Sequence, residues 1–147
     1  MKTLFAVALA FVAVNGFAAE GSITKSVKPP RIVIASDGIA TSRFFISTRE
    51  FPGAMLAKPK KLESIHWQTT HFPDNTDETV EICYLQPGRN DPDHCVPIHK
   101  NSSGDVDNFN SFKFDWHTEV WIRHRTTGGK NSGASAGNDK IVINYSY

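Results

Sequence analysis

Apolar and polar residues alternate with a period of two along most of the chain, and this pattern predicts β-strands. Short runs rich in Pro, Gly, Asn and Asp separate the alternating segments and are typical of turns. Helical periodicity is sustained nowhere after residue 18, although residues 54–62 could form one short helical turn. The predicted strands cover residues 32–35, 42–48, 62–72, 79–85, 94–98, 111–116, 119–126 and 140–147.

Two neighbouring segments show opposite patterns. Between residues 111 and 116, Phe112, Phe114 and Trp116 occupy every second position and polar residues occupy the others. We therefore expect a strand with one buried face and one face in water. Residues 127–138, in contrast, contain four Gly and no large apolar residue, so we expect an exposed and mobile loop there.

Seven or eight short strands with apolar faces favour an antiparallel β-sandwich of two sheets, with a closed barrel as the alternative. Cys83 and Cys95 lie on neighbouring strands of one predicted hairpin. An isolated pair of cysteines in an exported chain commonly forms a disulfide. Pro97 cannot donate a ladder hydrogen bond, which predicts that the second strand of this hairpin lies at a sheet edge. The predicted fold class is all-β, with one hairpin disulfide.

The first 18 residues have the features of a secretory signal peptide. Lys2 gives a positive start, residues 4–14 are apolar, and small residues at Gly16 and Ala18 precede a cut after Ala18. The apolar run is about eleven residues long, shorter than the roughly 20 that span a bilayer, and no later stretch is apolar enough to span it. We expect a cleaved signal peptide at 1–18, one mature domain at 19–147, a location outside the cytoplasm and no integral membrane segment after cleavage.

The composition fits one folded domain and narrows the range of partners. Aliphatic, aromatic and Cys residues make up 39% of the 147 residues, and charged residues make up 21%, which is too apolar for a disordered tail. The chain has 16 Lys and Arg against 15 Asp and Glu, and removal of Lys2 with the signal peptide leaves equal numbers. Nucleic-acid binding draws much of its free energy from clustered cations, so this balance argues against a nucleic-acid partner.

The six histidines do not form a local metal site. His66 and His71 are five residues apart, as are His94 and His99. In a regular strand an odd offset places two side chains on opposite faces of the sheet. Neither pair can therefore bind one metal ion without a bulge in the strand. We expect the six imidazoles to lie on the surface.

Other candidate chemistry is also weak. A metal site assembled from distant strands, such as His71 with His117 or His124, remains an alternative. Residues 105–108 have the opening spacing of a calcium loop but lack its later Gly and Glu, and we expect a solvated turn. Because no nucleophile, phosphate-binding or metalloprotease motif is present, the sequence predicts no catalytic residue, no metal and no cofactor, and a protein that is not an enzyme.

The three tryptophans are the remaining candidates for a binding site. Trp67 and Trp116 share the parity of apolar residues in their segments, so we expect both in the core. Trp121 instead shares its face with Arg123 and Arg125. An aromatic residue beside guanidinium groups is the composition of an interface hot spot, and we hypothesise that these three residues bind a protein partner. An exposed Trp flanked by solvated arginines is the alternative.

Several segments resemble one protein family. Residues 140–145 read Lys-Ile-Val-Ile-Asn-Tyr, follow a Gly/Ser/Asn-rich segment, and are preceded further upstream by Phe-Asp-Trp at 114–116. Residues 63–67 form a Trp-bearing strand, and residues 80–83 and 95–96 form two Cys-bearing strands. In these segments, and loosely over most of the mature chain, the sequence resembles FlhE, a family of small periplasmic flagellar proteins.

The resemblance implies a periplasmic β-sandwich encoded with the flagellar export gate. It further implies a non-enzymatic accessory that binds the flagellar export apparatus or rod and limits proton leakage or supports swarming. The family carries no established catalytic residues. The alternatives from other classes are a secreted carbohydrate- or peptidoglycan-binding module, which would use exposed Trp, and a periplasmic enzyme inhibitor.

Overall fold

The computed structural model describes residues 18–147, and within them the regular secondary structure is almost entirely antiparallel β-strand. Two short 3₁₀ turns, Thr48–Glu50 and Gly53–Met55, lie between the third and fourth strands. The strands are β1 (Glu20–Val27), β2 (Ile32–Val33), β3 (Ile39–Phe45), β4 (Lys61–Gln68), β5 (Asn75–Thr76), β6 (Thr79–Leu85), β7 (His94–Ile98), β8 (Ser103–Val106), β9 (Glu119–Arg125), β10 (Gly128–Gly129), β11 (Ser132–Gly133) and β12 (Asp139–Ser146).

Eight of these strands form two four-stranded sheets that face each other. The first sheet has the order β1-β12-β4-β8, and the second has the order β3-β9-β6-β7. Two minor ladders, β2 with β11 and β5 with β10, lie beside them. The all-β antiparallel sandwich expected from the sequence is therefore confirmed.

The core lies between the two sheets, because alternate residues of both turn inward. In β9, for example, Val120 and Ile122 are fully buried while Trp121 between them is only half-buried. Most of the core side chains belong to one cluster: Ile23, Phe44, Ile46, Phe51, Leu62, Ile65, Trp67, Val80, Ile82, Tyr84, Val106, Phe109, Phe114, Val120, Ile122, Ile141, Ile143 and Tyr145. Trp67, 6% exposed, is in the core as expected.

The hairpin of β6 and β7 carries the predicted disulfide. Cys83 and Cys95 face each other in the ladder, and their sulfur atoms are 2.06 Å apart. Strand β7, which contains Pro97, is the last strand of its sheet. Both the bridge and the edge position of β7 are confirmed.

The predicted strand at residues 111–116 is wrong. The segment folds as consecutive turns, with the Phe112 amide donating to the Phe109 carbonyl, and only Phe114 forms a bridge, with Lys60. Phe114 is buried whereas Trp116 is 39% exposed, so the expectation of a core Trp116 is also wrong. A run of turns aims aromatic side chains in several directions, although its sequence mimics the parity of a strand.

Residues 127–138, expected as an exposed and mobile loop, are mostly exposed but contain two short strands. Strand β10 pairs with β5, and β11 pairs with β2. Gly133 is buried, and a Cβ atom there would lie 1.8 Å from Oδ1 of Asn75. Glycine is needed at this position because the Asn75 side chain packs directly against the backbone.

Strand β1 was not predicted, because its polar sequence gives a weak alternation signal; among its residues only Ile23 is buried. Asp105, expected in a solvated turn, lies within strand β8, opposite His66. The predicted signal peptide falls on residues outside the described part of the chain, except for Ala18, and stays a prediction. Within residues 18–147, no helix has the length and apolar character required to cross a membrane.

Candidate functional site

The three residues proposed from the sequence lie together on the outer face of the second sheet. In β9, Trp121, Arg123 and Arg125 alternate with the buried residues and point away from the core. The guanidinium carbon of Arg123 lies 5.7 Å from the centroid of the Trp121 ring, and that of Arg43, on the neighbouring strand β3, lies 4.9 Å from it. These distances are typical of cation–π contacts. We call Arg43, Trp121, Arg123 and Arg125 the Trp121 face.

Two carboxylates hold the side chains of the Trp121 face in place. Glu119 accepts a 2.6 Å hydrogen bond from Nε1 of Trp121 and is paired with Arg43 at 3.0 Å. Glu81 on β6 pairs with Arg123 at 3.3 Å. Arg125 has no ion-pair partner among the described residues. The Trp121 ring is thus held by a hydrogen bond at its edge and by guanidinium groups over its face. The Arg125 guanidinium remains available to pair with another molecule.

A shallow cleft of about 370 Å³ borders the Trp121 face. Its lining includes Glu81, Pro97, Arg123 and Arg125. The disulfide lies on the same side of the sheet as the Trp121 ring, because Cys83 is directly opposite Trp121 in the ladder, and its sulfur is 3.9 Å from the Arg123 guanidinium. The bridge therefore links the edge strand β7 to β6, which pairs on its other side with β9, the strand that carries Trp121.

The described residues contain one group of three potential metal ligands, Glu81, Cys83 and Cys95. Both sulfur atoms of this group are consumed by the disulfide, and a metal requires free thiolates. The group therefore cannot serve as a metal centre while the bridge is closed. His71, His117 and His124 do not form such a group within residues 18–147.

A buried cluster of charged residues was missed by the sequence analysis. The side chains of Glu78, His124 and Asp139 are all fully buried. His124 Nδ1 lies 2.7 Å from Oε1 of Glu78, and its Nε2 lies 2.9 Å from Oδ2 of Asp139. Burial opposes protonation of the imidazole, but hydrogen bonds to Asp139 and Glu78 outweigh it and raise the pKa of His124 to about 9. The expectation of surface imidazoles is therefore wrong for His124.

This cluster organises the fold and does not form a nucleophile. The Ser42 hydroxyl donates to Oδ2 of Asp139 at 2.6 Å, the same oxygen that His124 Nε2 contacts, whereas an activated serine must donate to the histidine itself. The carboxylates also accept backbone amides, that of Thr70 at Asp139 and that of Phe72 at Glu78. The cluster thus fastens the connection between β4 and β6 to β9 and β12.

The parity of β9 was the one signal in the sequence that could have revealed the cluster. His124 shares the inward face with Val120 and Ile122. A buried histidine requires polar partners. The identity of those partners, however, depends on the sheet topology, because Glu78 and Asp139 are 46 and 15 residues away in sequence.

Among solved structures, the crystal structure of FlhE resembles this chain with a TM-score of 0.56 and 13% sequence identity, over 88% of this chain and 100% of the FlhE chain. This chain shares the FlhE fold. The structure of mud crab tombus-like virus has a TM-score of 0.42 at 9% identity, covering 100% of this chain and 92% of the viral one. Desmodium yellow mottle tymovirus has a TM-score of 0.36 at 12% identity, covering 99% and 93%.

No protein-family model matches the chain. No curated protein matches its sequence. The likeness to FlhE therefore concerns the architecture of the sandwich, at a sequence identity of 13%.

Proposed function

We propose that the mature chain is a periplasmic flagellar accessory protein without catalytic activity. In this role it binds the flagellar export apparatus or rod and limits proton leakage or supports swarming. The FlhE fold supports the proposal, as do the closed disulfide, which is typical of an oxidising compartment, and the signal-peptide pattern of residues 1–18.

The observation that carries the proposal is the Trp121 face. Trp and Arg are the residue types that dominate binding energy at protein interfaces. The contacts of Trp121 with Glu119 and Arg43 already restrict the ring, so binding would lose little side-chain entropy. The exposed guanidinium of Arg125 is free to pair with a carboxylate of the partner. We therefore assign partner binding to Trp121, Arg123 and Arg125.

The sheet edges give a second way to bind a protein. The terminal strand β12 lies between β1 and β4 with both of its edges paired, so it is not available to add a partner strand. Of the two edge strands of that sheet, β1 is eight residues long and β8 only four. A partner strand added by β-augmentation would therefore pair with β1.

The test uses the full-length protein, expressed with an affinity tag in the flagellated organism that encodes it. We expect the double variant Trp121→Ala, Arg123→Ala to lose its periplasmic pull-down partners and to swarm like a deletion strain. Val33→Ala is the control, because it removes an exposed apolar side chain outside the Trp121 face. Far-ultraviolet circular dichroism of each purified variant verifies the fold.

Two outcomes would count against these assignments. Unchanged swarming and unchanged partners in the folded double variant would remove the binding role of the Trp121 face. A deletion strain with normal swarming and normal cytoplasmic pH would remove the flagellar function itself.

A further inference from the structure

Three exposed rings touch one another at the end of the β3–β9 ladder, where Phe45 lies opposite Glu119 and two residues beyond Arg43 of the Trp121 face. Phe45, the last residue of β3, is 43% exposed and Trp116 is 39% exposed. The ring of His117 contacts both of them: its centroid lies 4.2 Å from that of Trp116 and 5.5 Å from that of Phe45. We call these three residues the aromatic ledge. Exposed aromatic residues in mutual contact mark a binding surface more often than isolated ones do.

The backbone of the aromatic ledge is held firmly. His117 has a φ of 69°, in the left-handed region that few side-chain-bearing residues adopt. Its amide donates to the Ile46 carbonyl at 2.7 Å, and the Ile46 amide donates to the Thr118 carbonyl at 2.9 Å. The surrounding strands thus fix a conformation that an isolated chain would avoid.

A buried lysine fixes Trp116 from the other side. The Asp115 carboxylate accepts the Trp116 amide at 2.9 Å and pairs with Lys60 at 2.9 Å. The Lys60 side chain is fully buried and also donates to the carbonyls of Leu56 and Lys58. Because Lys60 already neutralises Asp115, this carboxylate adds little negative charge to the surface.

A cleft of about 220 Å³ lies against the ledge, lined by Pro87, Gly88, Lys113, Asp115, Trp116 and His117. This volume is below the roughly 300–1,000 Å³ of sites for drug-sized ligands. It suits a single ring that lies on Trp116. The exposed Lys113 has no ion-pair partner among the described residues, so the cleft offers an aromatic face beside an unpaired ammonium group.

We propose that the aromatic ledge and its cleft bind a glycan that contains a carboxylate-bearing pyranose. The C–H face of a pyranose is apolar and can lie on the Trp116 indole, whereas its hydroxyls need polar neighbours at the rim. The Lys113 ammonium pairs with the carboxylate, which distinguishes acidic sugars from neutral ones. This site adjoins the Trp121 face but shares no residue with it, and it does not depend on the flagellar proposal.

The test is calorimetric titration of the purified mature protein with an oligosaccharide of alternating N-acetylglucosamine and N-acetylmuramic acid. The matched ligand is an N-acetylglucosamine oligosaccharide of the same length, which lacks the carboxylate. We expect saturable binding of the first ligand and at least about tenfold weaker binding of the second, since the second ligand has no carboxylate to accept a charged hydrogen bond from Lys113.

The variants separate the two contacts. Trp116→Ala should weaken binding of both oligosaccharides about tenfold or more, whereas Lys113→Gln should remove the preference for the acidic one. The Lys113 backbone bonds to Gln86 and Tyr84 do not involve its side chain, so this variant should fold. Val33→Ala, at an exposed apolar residue outside both surfaces, is the control and should bind both ligands like the wild type.

Nuclear magnetic resonance titration of the unmodified protein supplies a measurement that needs no variant. We expect the largest amide shifts at Phe45 and at residues 113–117. The proposal is overturned by the absence of saturable binding, by shifts confined to other surfaces, or by equal affinities for the two oligosaccharides. It is also overturned if folded Trp116→Ala binds as tightly as the wild type.

Discussion

His124 and Asp139 meet in the interior of the sandwich, with Nε2 of the imidazole 2.9 Å from Oδ2 of the carboxylate. Glu78 lies against the other ring nitrogen, and Lys100 approaches Glu78 from the surface at 3.9 Å. Two buried carboxylates therefore share one imidazole. This arrangement stabilises the protonated ring and makes stability depend on pH.

We expect the free energy of unfolding to fall as pH rises from about 6.5 to about 9. The pKa of His124 is about 9 in the folded protein, raised from the ordinary imidazole value of 6.5 by the hydrogen bonds to Asp139 and Glu78. Below pH 6.5 the ring is protonated in both states and the stabilisation is complete. Between pH 6.5 and pH 9 the imidazole is deprotonated in the unfolded chain but still protonated in the folded protein. Unfolding therefore releases a proton and becomes more favourable as pH rises. The loss by pH 9 is on the order of 3 kcal/mol.

Urea unfolding at pH 6, 7.5 and 9 measures this dependence. His124→Gln should flatten the curve across that range, while His66→Gln, at an exposed histidine, should leave it unchanged. If His124→Gln does not fold, the ring protons of wild-type His124 can be titrated by nuclear magnetic resonance. A midpoint near 6.5, or a stability that increases with pH in this window, would contradict the prediction.

The buried Asp139 should be far more important for stability than an exposed carboxylate. Asp139 accepts hydrogen bonds from the Ser42 hydroxyl, the Thr70 amide and His124. Asp139→Asn removes the negative charge and leaves a buried cation short of one partner, which costs about 3–5 kcal/mol. Asp105→Asn is the control, since its side chain is exposed, and we expect a change within about 0.5 kcal/mol. Equal effects of the two substitutions in chemical denaturation would refute this assignment.

The sequence predicted those parts of the fold in which local pattern and final environment agree. Strands β6 and β7 were predicted with the bounds that the structure has, because each is a clear alternating run bounded by turns. The outward direction of Trp121 followed from the same parity. Disulfide pairing followed from the position of Cys83 and Cys95 in one hairpin.

The errors occur where distant residues decide the structure. Trp116 has the parity of a core residue, yet its amide donates to the Asp115 carboxylate. Asp115 in turn pairs with Lys60, which is 55 residues away in the sequence. Residues 127–138 have the composition of a flexible loop, yet Asn75 donates to the carbonyls of Gly128 and Lys130. Periodicity detects which face of a strand is apolar, but it contains no information on such long-range polar contacts.

The disulfide should stabilise the sandwich without being required for its strands. Cys83 and Cys95 close a loop with a sequence separation of 12. Without the bridge the unfolded chain gains conformational entropy, which lowers the free energy of unfolding by about 2–4 kcal/mol. We expect Cys83→Ala with Cys95→Ala to keep the β-sheet circular dichroism spectrum and to unfold at a lower urea concentration. The wild type in a reducing buffer should behave like the double variant. If reductant leaves the unfolding midpoint unchanged, the bridge does not contribute to stability.

Gly133 should tolerate no side chain, because it lies against Asn75 where β11 pairs with β2. A Cβ atom at residue 133 would be 1.8 Å from Asn75 Oδ1, so Gly133→Ala must displace a buried side chain whose amide bonds to Gly128 and Lys130. We expect a loss of about 1–3 kcal/mol and faster amide hydrogen exchange over residues 128–133. Gly53→Ala is the matched control, because a Cβ atom there meets nothing within 4 Å. If both variants exchange and unfold like the wild type, then residues 127–138 do not pack against Asn75 in solution.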